Sequence, residues 1–252
     1  MSEGHALLSP HSCFMATVKH RGTETHETYC GVPVHATDGL HQKVVELLQT
    51  KLQPGQRVAD LGAGHGALSL RMHHAGFAVS AFDLDNREWQ LSEICCDPLD
   101  LQTSLEQILP KGPFAAICAL EVIEHLENPR EFLRKLIAIA KPQGTVIVIS
   151  TPNPLDTFSC ISLFTRGIFN WFSAEHYLGG GHISILPYWL IREHLKFLGV
   201  EKQEWFFVAP YQHPSMIKRL IYKLILSLRK LCAKSEDRSF FEGQTALVVL
   251  SP

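Results

Sequence analysis

A glycine-rich segment that contains one acid is the part of the sequence whose spacing most clearly predicts ligand binding. Residues 58–66 read VADLGAGHG, which places glycines at 62, 64 and 66. Glycine allows the backbone to turn tightly and to approach a ligand closely. The spacing is GxGxG, whereas dinucleotide-binding turns read GxGxxG. Because many classes of nucleotide binder carry glycine turns, this segment alone predicts only a nucleotide-like ligand.

Three acids narrow the choice of ligand. Asp60 stands just before the first glycine, where a carboxylate repels a pyrophosphate and favours a cationic group. S-adenosylmethionine (SAM) carries an ammonium and a sulfonium. Asp83 ends the second predicted strand, where it could accept hydrogen bonds from ribose hydroxyls. Asp97 ends the third predicted strand, where it could accept a hydrogen bond from an adenine amino group. Together they predict an adenosyl pocket, although Asp83 and Asp97 could also be simple cap or turn residues.

Three histidines are candidates for a general base. A hydroxyl that accepts a methyl group must lose its proton, and imidazole is suited to remove it near neutral pH. His125 follows the fourth predicted strand, and His176 and His182 flank the glycines at 179–181. A lone histidine is more often structural, so all three remain candidates. The 14 histidines form no HExxH motif and no tight cluster with cysteine, so the sequence predicts no metal site.

The elements that position these residues alternate along the chain. Short apolar runs predict strands at 58–61, 78–82, 92–96, 114–119 and 145–149, with helices at 67–74, 101–109 and 129–140. Such alternation on short connections predicts an α/β fold, with a parallel sheet covered by helices on both faces. A further helix, with Thr37 or Asp38 as its N-cap, precedes the first strand and ends before Pro54.

The organisation predicted for the chain is one domain over residues 37–252, preceded by an arm at 1–36 that holds one short helix. After Ser150 the alternation breaks, and inserts are expected at about 151–186 and 210–240, with a helix from Pro187 to Gly199 and strands at 203–209 and 245–250. The first insert is rich in aromatic residues, which either wall an apolar acceptor pocket or cap the sheet edge. These are Phe158, Phe164, Phe169, Trp171 and Phe172.

A basic amphipathic helix is predicted over residues 214–234. Apolar residues form one stripe with lysines and arginines beside it, as in helices that lie on an anionic membrane surface. The alternative is a helix packed on the domain with its basic residues in solvent. The stripe consists of Ile217, Leu220, Ile221, Leu224, Leu228 and Leu231.

The composition excludes several classes of protein. A chain of 252 residues that is 46% hydrophobic is not intrinsically disordered. A net charge of -2 argues against electrostatic binding of nucleic acid by the protein surface as a whole. The seven scattered cysteines include no CxxC pair and predict a reduced, cytoplasmic protein. The sequence shows neither a basic, apolar leader nor an apolar run long enough to span a membrane.

Three blocks of the chain resemble the class I SAM-dependent methyltransferases, most closely their UbiG-like and type 11/12 branch. Residues 58–66 are similar to the first motif of that family. Residues 114–126 (FAAICALEVIEHL) are similar to its fourth strand and following loop, and 136–153 to its fifth-strand region. Gln143 replaces the usual glycine of the turn before the fifth strand. The resemblance covers about residues 40–150, with a weaker continuation to 209.

The resemblance implies a Rossmann-like, mostly parallel seven-stranded sheet in the order 3-2-1-4-5-7-6, with the last strand antiparallel. It also implies that the glycine turn lies by the methionine end of SAM, that Asp83 and Leu84 flank the ribose, and that Asp97 meets adenine. An arm that folds over the cofactor would bring Tyr29 and His35 to SAM or substrate. Glu121 and Glu124 could instead lie on a solvated face. The implied cofactor-binding residues are Asp60, Gly62, Ala63, Gly64, Gly66, Asp83, Leu84, Asp97, Ala119, Leu120, Glu121, Tyr29 and His35.

The function expected from these observations is SAM-dependent methylation of an oxygen on a small-molecule acceptor or on a lipid- or glycan-linked one, with peripheral membrane contact through 214–234. Nucleic acid is not expected as acceptor, because the (D/N)PP(Y/F) motif of base methylators is absent after the fourth strand. The main alternative is a non-catalytic SAM-binding or scaffolding protein of the same fold. A nicotinamide-dependent oxidoreductase is disfavoured by Asp60 and by the glycine spacing.

Overall fold

The arm before the domain contains strands. In a computed structural model, which describes residues 16–19, 25–212, 215–233 and 238–251, the arm forms the antiparallel sheet β1 (Ala16–Lys19), β2 (Thr25–Tyr29) and β3 (Val32–Pro33). The short helix expected in the arm is therefore wrong for these stretches, where β-branched residues favour extended backbone. The rest of the predicted arm, residues 1–15 and 20–24, lies outside the described residues.

Seven helices flank or follow the strands of the described chain. Their bounds are α1 (Leu40–Lys51), α2 (Ala67–His74), α3 (Pro129–Ala140), α4 (Thr157–Arg166), α5 (Ala174–Gly180), α6 (Tyr188–Phe197) and α7 (Met216–Cys232). The helices predicted at 67–74 and 129–140 are confirmed at both ends. The predicted cap of α1 is wrong, because Gly39 in the left-handed region (φ 76°) is the N-cap and no side chain caps the helix.

The main sheet has the predicted order. Its strands are β4 (Arg57–Leu61), β5 (Ala78–Asp83), β6 (Cys96–Pro98), β7 (Ala116–Ala119), β8 (Val146–Pro152), β9 (Gln203–Pro210) and β10 (Gly243–Leu250). Their order is β6-β5-β4-β7-β8-β10-β9, which is 3-2-1-4-5-7-6 when the seven are numbered along the chain. β10 runs antiparallel to both of its neighbours, as expected.

Two segments differ from their predicted structure. The third strand begins at Cys96, because only residues 96–98 pair with β5, and the expected start at Ser92 is wrong. The helix expected at 101–109 is instead a 3₁₀ helix over Leu105–Lys111 that contains Pro110. Proline removes an amide donor, which disfavours a regular α-helix at this point.

Apolar side chains cover both faces of the sheet. All four residues of β7 are buried. On one face Ile117 belongs to a cluster with Leu133 and Leu136 of α3. On the other face Cys118 belongs to a cluster with Leu48 of α1 and Met72 of α2. The prediction of a sheet covered on both faces is therefore confirmed.

The inserts predicted at about 151–186 and 210–240 carry α4, α5 and α7, and α4 packs against α7. Residues 213–214 and 234–237 of the second insert lie outside the described chain. Within the described ranges, no helix has both the length and the apolarity needed to cross a membrane. Cys30 is disulfide-bonded, so the expectation of a fully reduced protein is wrong at that residue.

Candidate cofactor and acceptor sites

The glycine turn connects β4 to α2 and leaves no room for a side chain at its first glycine. Gly62 has φ +73°, and a Cβ there would lie 2.5 Å from Cγ2 of Val122. The amides of Gly62 and Ala63 donate to the carbonyl of Phe82, at 2.8 and 3.0 Å, which ties the turn to the end of β5. Gly62 is therefore required by both backbone conformation and packing.

Gly64 and Gly66 also have positive φ, +53° and +100°. A Cβ on Gly66 would press on Leu91, whereas one on Gly64 would meet nothing within 4 Å. The turn is thus closed at Gly66 and leaves open space beside Gly64. Such open backbone at the end of a strand and before a helix is where ligands of parallel α/β sheets bind.

Asp83 lies beside this open part of the turn. Its carboxylate accepts hydrogen bonds from the amide of Gly64 at 2.8 Å and from the amide of Asp85 at 3.0 Å. These bonds fix the carboxylate at the end of β5 while the side chain keeps partial exposure. Leu84, the next residue, is 73% exposed. The predicted pair for the ribose is therefore adjacent to the turn.

Asp60 is almost fully buried, at 2% exposure, and accepts a hydrogen bond from the hydroxyl of Ser69 at 2.6 Å. Burial, together with the nearby charge of Asp83 and against the lowering effect of Ser69, raises the pKa of its carboxyl to about 7. A cationic group beside Asp60 would compensate the ionised carboxylate.

A small cavity of about 50 Å³ lies between the arm and the glycine turn. Asp60 and Leu120 line it from the sheet, and His35 lines it from the arm. His41 of α1 also lines it, and burial lowers the pKa of this imidazole to about 3. The structure thus brings His35 to the predicted methionine end of the site.

Tyr29, the other arm residue predicted to reach the cofactor, is not among the residues that line this cavity. Its hydroxyl is hydrogen-bonded with Nδ1 of His74 at 3.0 Å, and the guanidinium of Arg71 lies 4.0 Å from its ring centroid. Tyr29 therefore anchors the arm on α2.

Asp97 is at the end of β6, as predicted, and forms an ion pair with Lys111 at 2.9 Å. Both groups are substantially exposed, so the pair contributes little to stability. A contact between Asp97 and adenine stays a prediction.

The loop after β7 places two acids next to each other in the interior. Glu121 has a positive φ of 52°, and its backbone amide donates to Oγ of Ser150 at 2.9 Å. The Ser150 hydroxyl in turn donates to Oε1 of Glu121 at 2.7 Å. Glu121 follows Ala119 and Leu120, both buried, so the predicted sulfonium-side segment forms one continuous wall.

Glu124 is fully buried, so the alternative of a solvated face is wrong for this residue. Its Oε2 accepts from the hydroxyl of Thr151 at 3.0 Å, and its Oε1 has no hydrogen-bond partner among the described residues. Burial raises the pKa of the Glu124 carboxyl, and the neighbouring Glu121 raises it further.

The three histidines predicted as candidate bases meet above this loop. The rings of His125 and His182 pack edge to face with centroids 4.8 Å apart, and His176 lies 6.0 Å from His182. Nδ1 of His182 is hydrogen-bonded to the carbonyl of Trp171 at 2.8 Å. Burial lowers the pKa of His125 and His182, which favours neutral imidazoles.

Glu124, His125 and His182 also have the arrangement of a metal-ligating set. One ligand atom from each lies within 4.8 Å of the others, and Nε2 of His125 is 4.0 Å from Oε1 of Glu124. The sequence predicted no metal site and did not indicate this set. Its only local signal is the adjacent pair Glu124-His125, because His182 is brought in by the fold.

The aromatic residues of the first insert divide between two roles. Trp171 packs edge to face on His176, and Phe172 lies 5.7 Å from the ring of His182, so both border the histidine cluster. Phe158 stacks on Tyr211 at 4.0 Å, and Phe164 is exposed. Of the two open interpretations, an acceptor wall fits Trp171 and Phe172, and a packing role fits Phe158.

Comparison with known proteins identifies the family. A family model described as a methyltransferase domain matches residues 35–219, well over half of the chain. The chain belongs to the class I SAM-dependent methyltransferases. The sheet order described above is thus that of a methyltransferase fold.

The curated relatives are similar over part of their length. The ubiquinone biosynthesis O-methyltransferase of Caulobacter vibrioides is 32% identical over 124 residues, which is 46% of this chain and 49% of that protein. The mitochondrial protein of the same name from Arabidopsis thaliana is 27% identical over 125 residues, 46% of this chain and 39% of that protein. The chain thus spans about half the length of the curated relatives it matches.

Solved structures support the methyltransferase fold. A SAM-dependent methyltransferase from Archaeoglobus fulgidus superposes with a TM-score of 0.55 at 18% identity, covering 84% of this chain and 94% of that one. At this level of identity the likeness establishes the fold alone.

The residues of this methyltransferase fit the cofactor of the family. The turn is open beside Gly64, the carboxylate of Asp83 is fixed next to it, and Asp60 lies on the wall of the cavity below. SAM supplies a methyl group on a sulfonium. The chain's own residues would bind its nucleoside and amino-acid ends and would exclude water from the reacting atoms.

Proposed function

We propose that this methyltransferase transfers the methyl group of SAM to an oxygen of a small-molecule acceptor, and that the acceptor binds at the cluster of His125, His176 and His182. The observation that carries the proposal is the position of this cluster. It adjoins Glu121, Glu124 and the end of β7, which by family resemblance is the sulfonium side of the cofactor. The names of the curated relatives support oxygen as the accepting atom.

The histidine cluster acts on the acceptor hydroxyl. A neutral imidazole accepts the proton that the hydroxyl must lose during methyl transfer. The hydrogen bond between His182 and Trp171 fixes the orientation of one ring, and the edge-to-face contact fixes His125 relative to it. Holding the acceptor oxygen in line with the sulfonium supplies most of the remaining catalysis.

Three alanine variants test this role. We expect that at least one of His125→Ala, His176→Ala and His182→Ala abolishes turnover and leaves the affinity for S-adenosylhomocysteine (SAH) unchanged. His73→Ala is the matched control, because His73 is exposed on α2. Turnover is followed as SAH release in the presence of a panel of hydroxylated acceptors. Full activity in all three variants would refute a histidine base.

A second candidate role for part of the same cluster is a divalent-cation site. The observation that favours it is the buried Oε1 of Glu124, which lacks a partner among the described residues, beside His125 and His182. A cation there would satisfy this carboxylate and lower the pKa of a bound hydroxyl. Calorimetric titration with Mg²⁺ and Zn²⁺, in the wild type and in Glu124→Gln, distinguishes the roles. Equal binding heats in the two proteins would contradict a cation at Glu124.

The acceptor is proposed to be a small or lipid-linked molecule with an aromatic or similarly apolar body. Trp171 and Phe172 border the histidine cluster and supply an apolar wall. Relatives named for ubiquinone biosynthesis support an aromatic ring with hydroxyl groups. A panel that contains catechols with and without a prenyl chain, and a glycan-linked hydroxyl, ranks these classes by turnover.

We also propose that the outer face of α7 contacts an anionic membrane surface. The face that was predicted as an apolar stripe is solvent-exposed, with Leu220 at 61% and Leu224 at 62%. This exposure favours membrane contact over the alternative of a stripe packed on the domain. Lys218, Arg219 and Lys223 lie on the same helix, so its charge is complementary to anionic headgroups. The protein would then be peripheral at a membrane.

Liposome flotation tests the membrane proposal. The wild type is expected to float with vesicles that contain phosphatidylglycerol, and the double variant Leu220→Glu/Leu224→Glu is not. Leu109→Glu is the matched control, because Leu109 is also an exposed leucine but lies far from α7 in the chain. A wild type that stays with the unbound fraction, or a double variant that floats normally, would count against the proposal.

The alternative function is a non-catalytic SAM-binding or scaffolding protein of the same fold. Its signature would be SAH binding without methyl transfer to any member of the acceptor panel. The histidine cluster beside Glu124 favours the enzyme, because its buried Oε1 lacks a partner among the described residues and such atoms are rare without a functional role.

A further inference from the structure

The cavity between the arm and the glycine turn has two chemically different walls. The carboxyl of Asp60 lies on one wall, on the sheet side. Three imidazoles, those of His35, His41 and His65, also line it, beside the glycine turn and apolar side chains. His35 and His65 stack on each other with ring centroids 4.5 Å apart, which joins the arm to the turn. An acid and a group of nitrogen donors thus face one small enclosed volume.

Two buried nitrogen atoms, one on His41 of the cavity lining and one on Arg71 of α2, have no hydrogen-bond partner among the described residues. His41 is 8% exposed, and its Nδ1 has no hydrogen-bond partner in the part of the chain that the structure describes. Arg71 is 9% exposed, and its Nε also has no hydrogen-bond partner among the described residues. Nη2 of the same guanidinium pairs with Glu27. Buried polar atoms are nearly always hydrogen-bonded. An acceptor group that enters the cavity would satisfy Nδ1 of His41 in the tautomer that donates from this atom.

An anionic group satisfies these atoms better than a cationic one. The guanidinium of Arg71 has donors only, and Nδ1 of His41 donates in one of its tautomers. Both Arg71 and His35 oppose a positive charge on His41, which lowers the pKa of this imidazole beyond the effect of burial. The carboxylate of Glu27 is already held by Arg71 and by the amide of Gly39 at 3.4 Å.

We propose that His41, supported by Arg71 behind it, binds the carboxylate at the amino-acid end of SAM, while Asp60 binds the ammonium of the same end. The proposal rests on the assignment of SAM as ligand and adds the residue that recognises its carboxylate. A ligand with one negative and one positive group matches the two walls of the cavity. His41 is then a cofactor-binding residue in addition to those predicted from the sequence.

Three adenosyl ligands separate the two contacts. SAH carries both the carboxylate and the ammonium, its decarboxylated analogue carries only the ammonium, and 5′-methylthioadenosine carries neither. Each is titrated by calorimetry into the wild type, His41→Leu, His41→Asn and Asp60→Asn. Asparagine keeps an amide donor near the position of Nδ1, whereas leucine removes it. His73→Gln is the matched control on the exposed face of α2.

We expect His41→Leu to weaken SAH binding at least tenfold and to leave the affinity for the other two ligands unchanged. His41→Asn should restore most of the SAH affinity. Asp60→Asn should weaken both SAH and the decarboxylated analogue, and should leave 5′-methylthioadenosine unaffected. The 5′-methylthioadenosine titration also verifies that each variant is folded around an intact nucleoside site.

Unchanged SAH affinity in His41→Leu would overturn the proposal. An equal loss for SAH and the decarboxylated analogue would also overturn it, because His41 would then act on the ammonium or on the fold. If His41→Leu does not fold, His41→Gln, whose amide lies farther from the backbone, replaces it in the comparison with His41→Asn. A wild type that binds none of the three ligands would instead contradict SAM as cofactor, which is a separate failure.

Discussion

At the scale of single residues, the glycine turn depends on one position where conformation and packing act together. Gly62 and Gly144 both have positive φ, +73° and +63°. A Cβ at Gly62 would overlap Val122, whereas a Cβ at Gly144 would meet nothing within 4 Å. The two glycines therefore share the backbone cost of a substitution and differ only in the packing cost.

We expect Gly62→Ala to lower the free energy of unfolding by about 2–4 kcal/mol, from about 1–2 kcal/mol of backbone strain plus overpacking. Gly144→Ala should lower it by only the backbone cost of about 1–2 kcal/mol. Urea unfolding of both variants measures the difference. SAH affinity should fall in Gly62→Ala alone. Equal destabilisation by the two substitutions would show that the contact with Val122 does not constrain the turn.

The buried carboxyl of Asp60 gives a prediction about pH. Its pKa is about 7 in the folded protein and near the ordinary aspartate value of 3.8 in the unfolded chain. The folded state therefore holds the proton to higher pH, and this group makes the protein less stable as pH rises from about 4 to about 7. Above pH 7 the free-energy cost of the buried, ionised carboxylate no longer changes with pH.

Asp60→Asn removes this pH dependence, because asparagine does not ionise and its amide oxygen can still accept from Ser69. The free energy of unfolding of the variant minus that of the wild type should increase by up to about 3 kcal/mol from pH 5 to pH 8. The increase is about 1.4 kcal/mol per pH unit up to the folded pKa. Urea unfolding at the two pH values measures the difference. A constant difference between the proteins would contradict a raised pKa at Asp60.

The residues of the site were predictable to different degrees. Asp60, Gly62 and Asp83 follow from type and spacing, because the turn sequence and the strand ends fix their positions. His41 and Glu124 were not predicted as functional, because the signal at each is a buried atom without a partner. Such a signal exists only once the arm packs on α1 and the loop after β7 packs on β8.

At the scale of elements, the arm closes one end of the cofactor site. Pro33 and His35 line the cavity, and the ion pair between Glu27 and Arg71 holds the arm on α2. Both groups of the ion pair are largely excluded from water, so removal of either partner would leave an uncompensated buried charge. The arm is therefore part of the site as well as a cover over it.

Deletion of residues 1–36 is expected to weaken SAH binding at least tenfold, or about 1.4 kcal/mol. The substitution Tyr29→Phe should leave SAH affinity within about twofold of the wild type, because Tyr29 contacts Arg71 and His74. Calorimetric titration measures both. Unchanged affinity after the deletion would contradict a role for the arm in cofactor binding.

Elements with strong periodicity were predicted accurately, and weakly patterned ones were not. The α3 helix has both an asparagine cap and proline at its first position, and its bounds are confirmed. The α4 and α5 helices were missed within an insert that is rich in aromatic, serine and glycine residues. Their caps are Asp156 and Ser173, whose side chains accept from backbone amides. Those two residue types were the only local signal.

At the scale of the whole molecule, the strand order follows from blocks that lie far apart in the sequence. The glycine turn, the loop after β7 and the end of β8 converge at one edge of the sheet, because parallel strands place their carboxyl ends together. The glycine turn and His125, a member of the histidine cluster, therefore lie at the same edge of the sheet. This convergence was predictable from the resemblance, whereas the closeness of His125 to His182 required the complete fold.

The most direct test of the central claim is calorimetric titration of the full chain with SAH, alongside Asp83→Ala. The structure predicts micromolar binding by the wild type and at least a tenfold loss in the variant, because Asp83 is the fixed carboxylate beside the open turn. Folding of both proteins is confirmed by circular dichroism. Absence of binding by the well-folded wild type would contradict a functional cofactor site and favour the scaffold alternative.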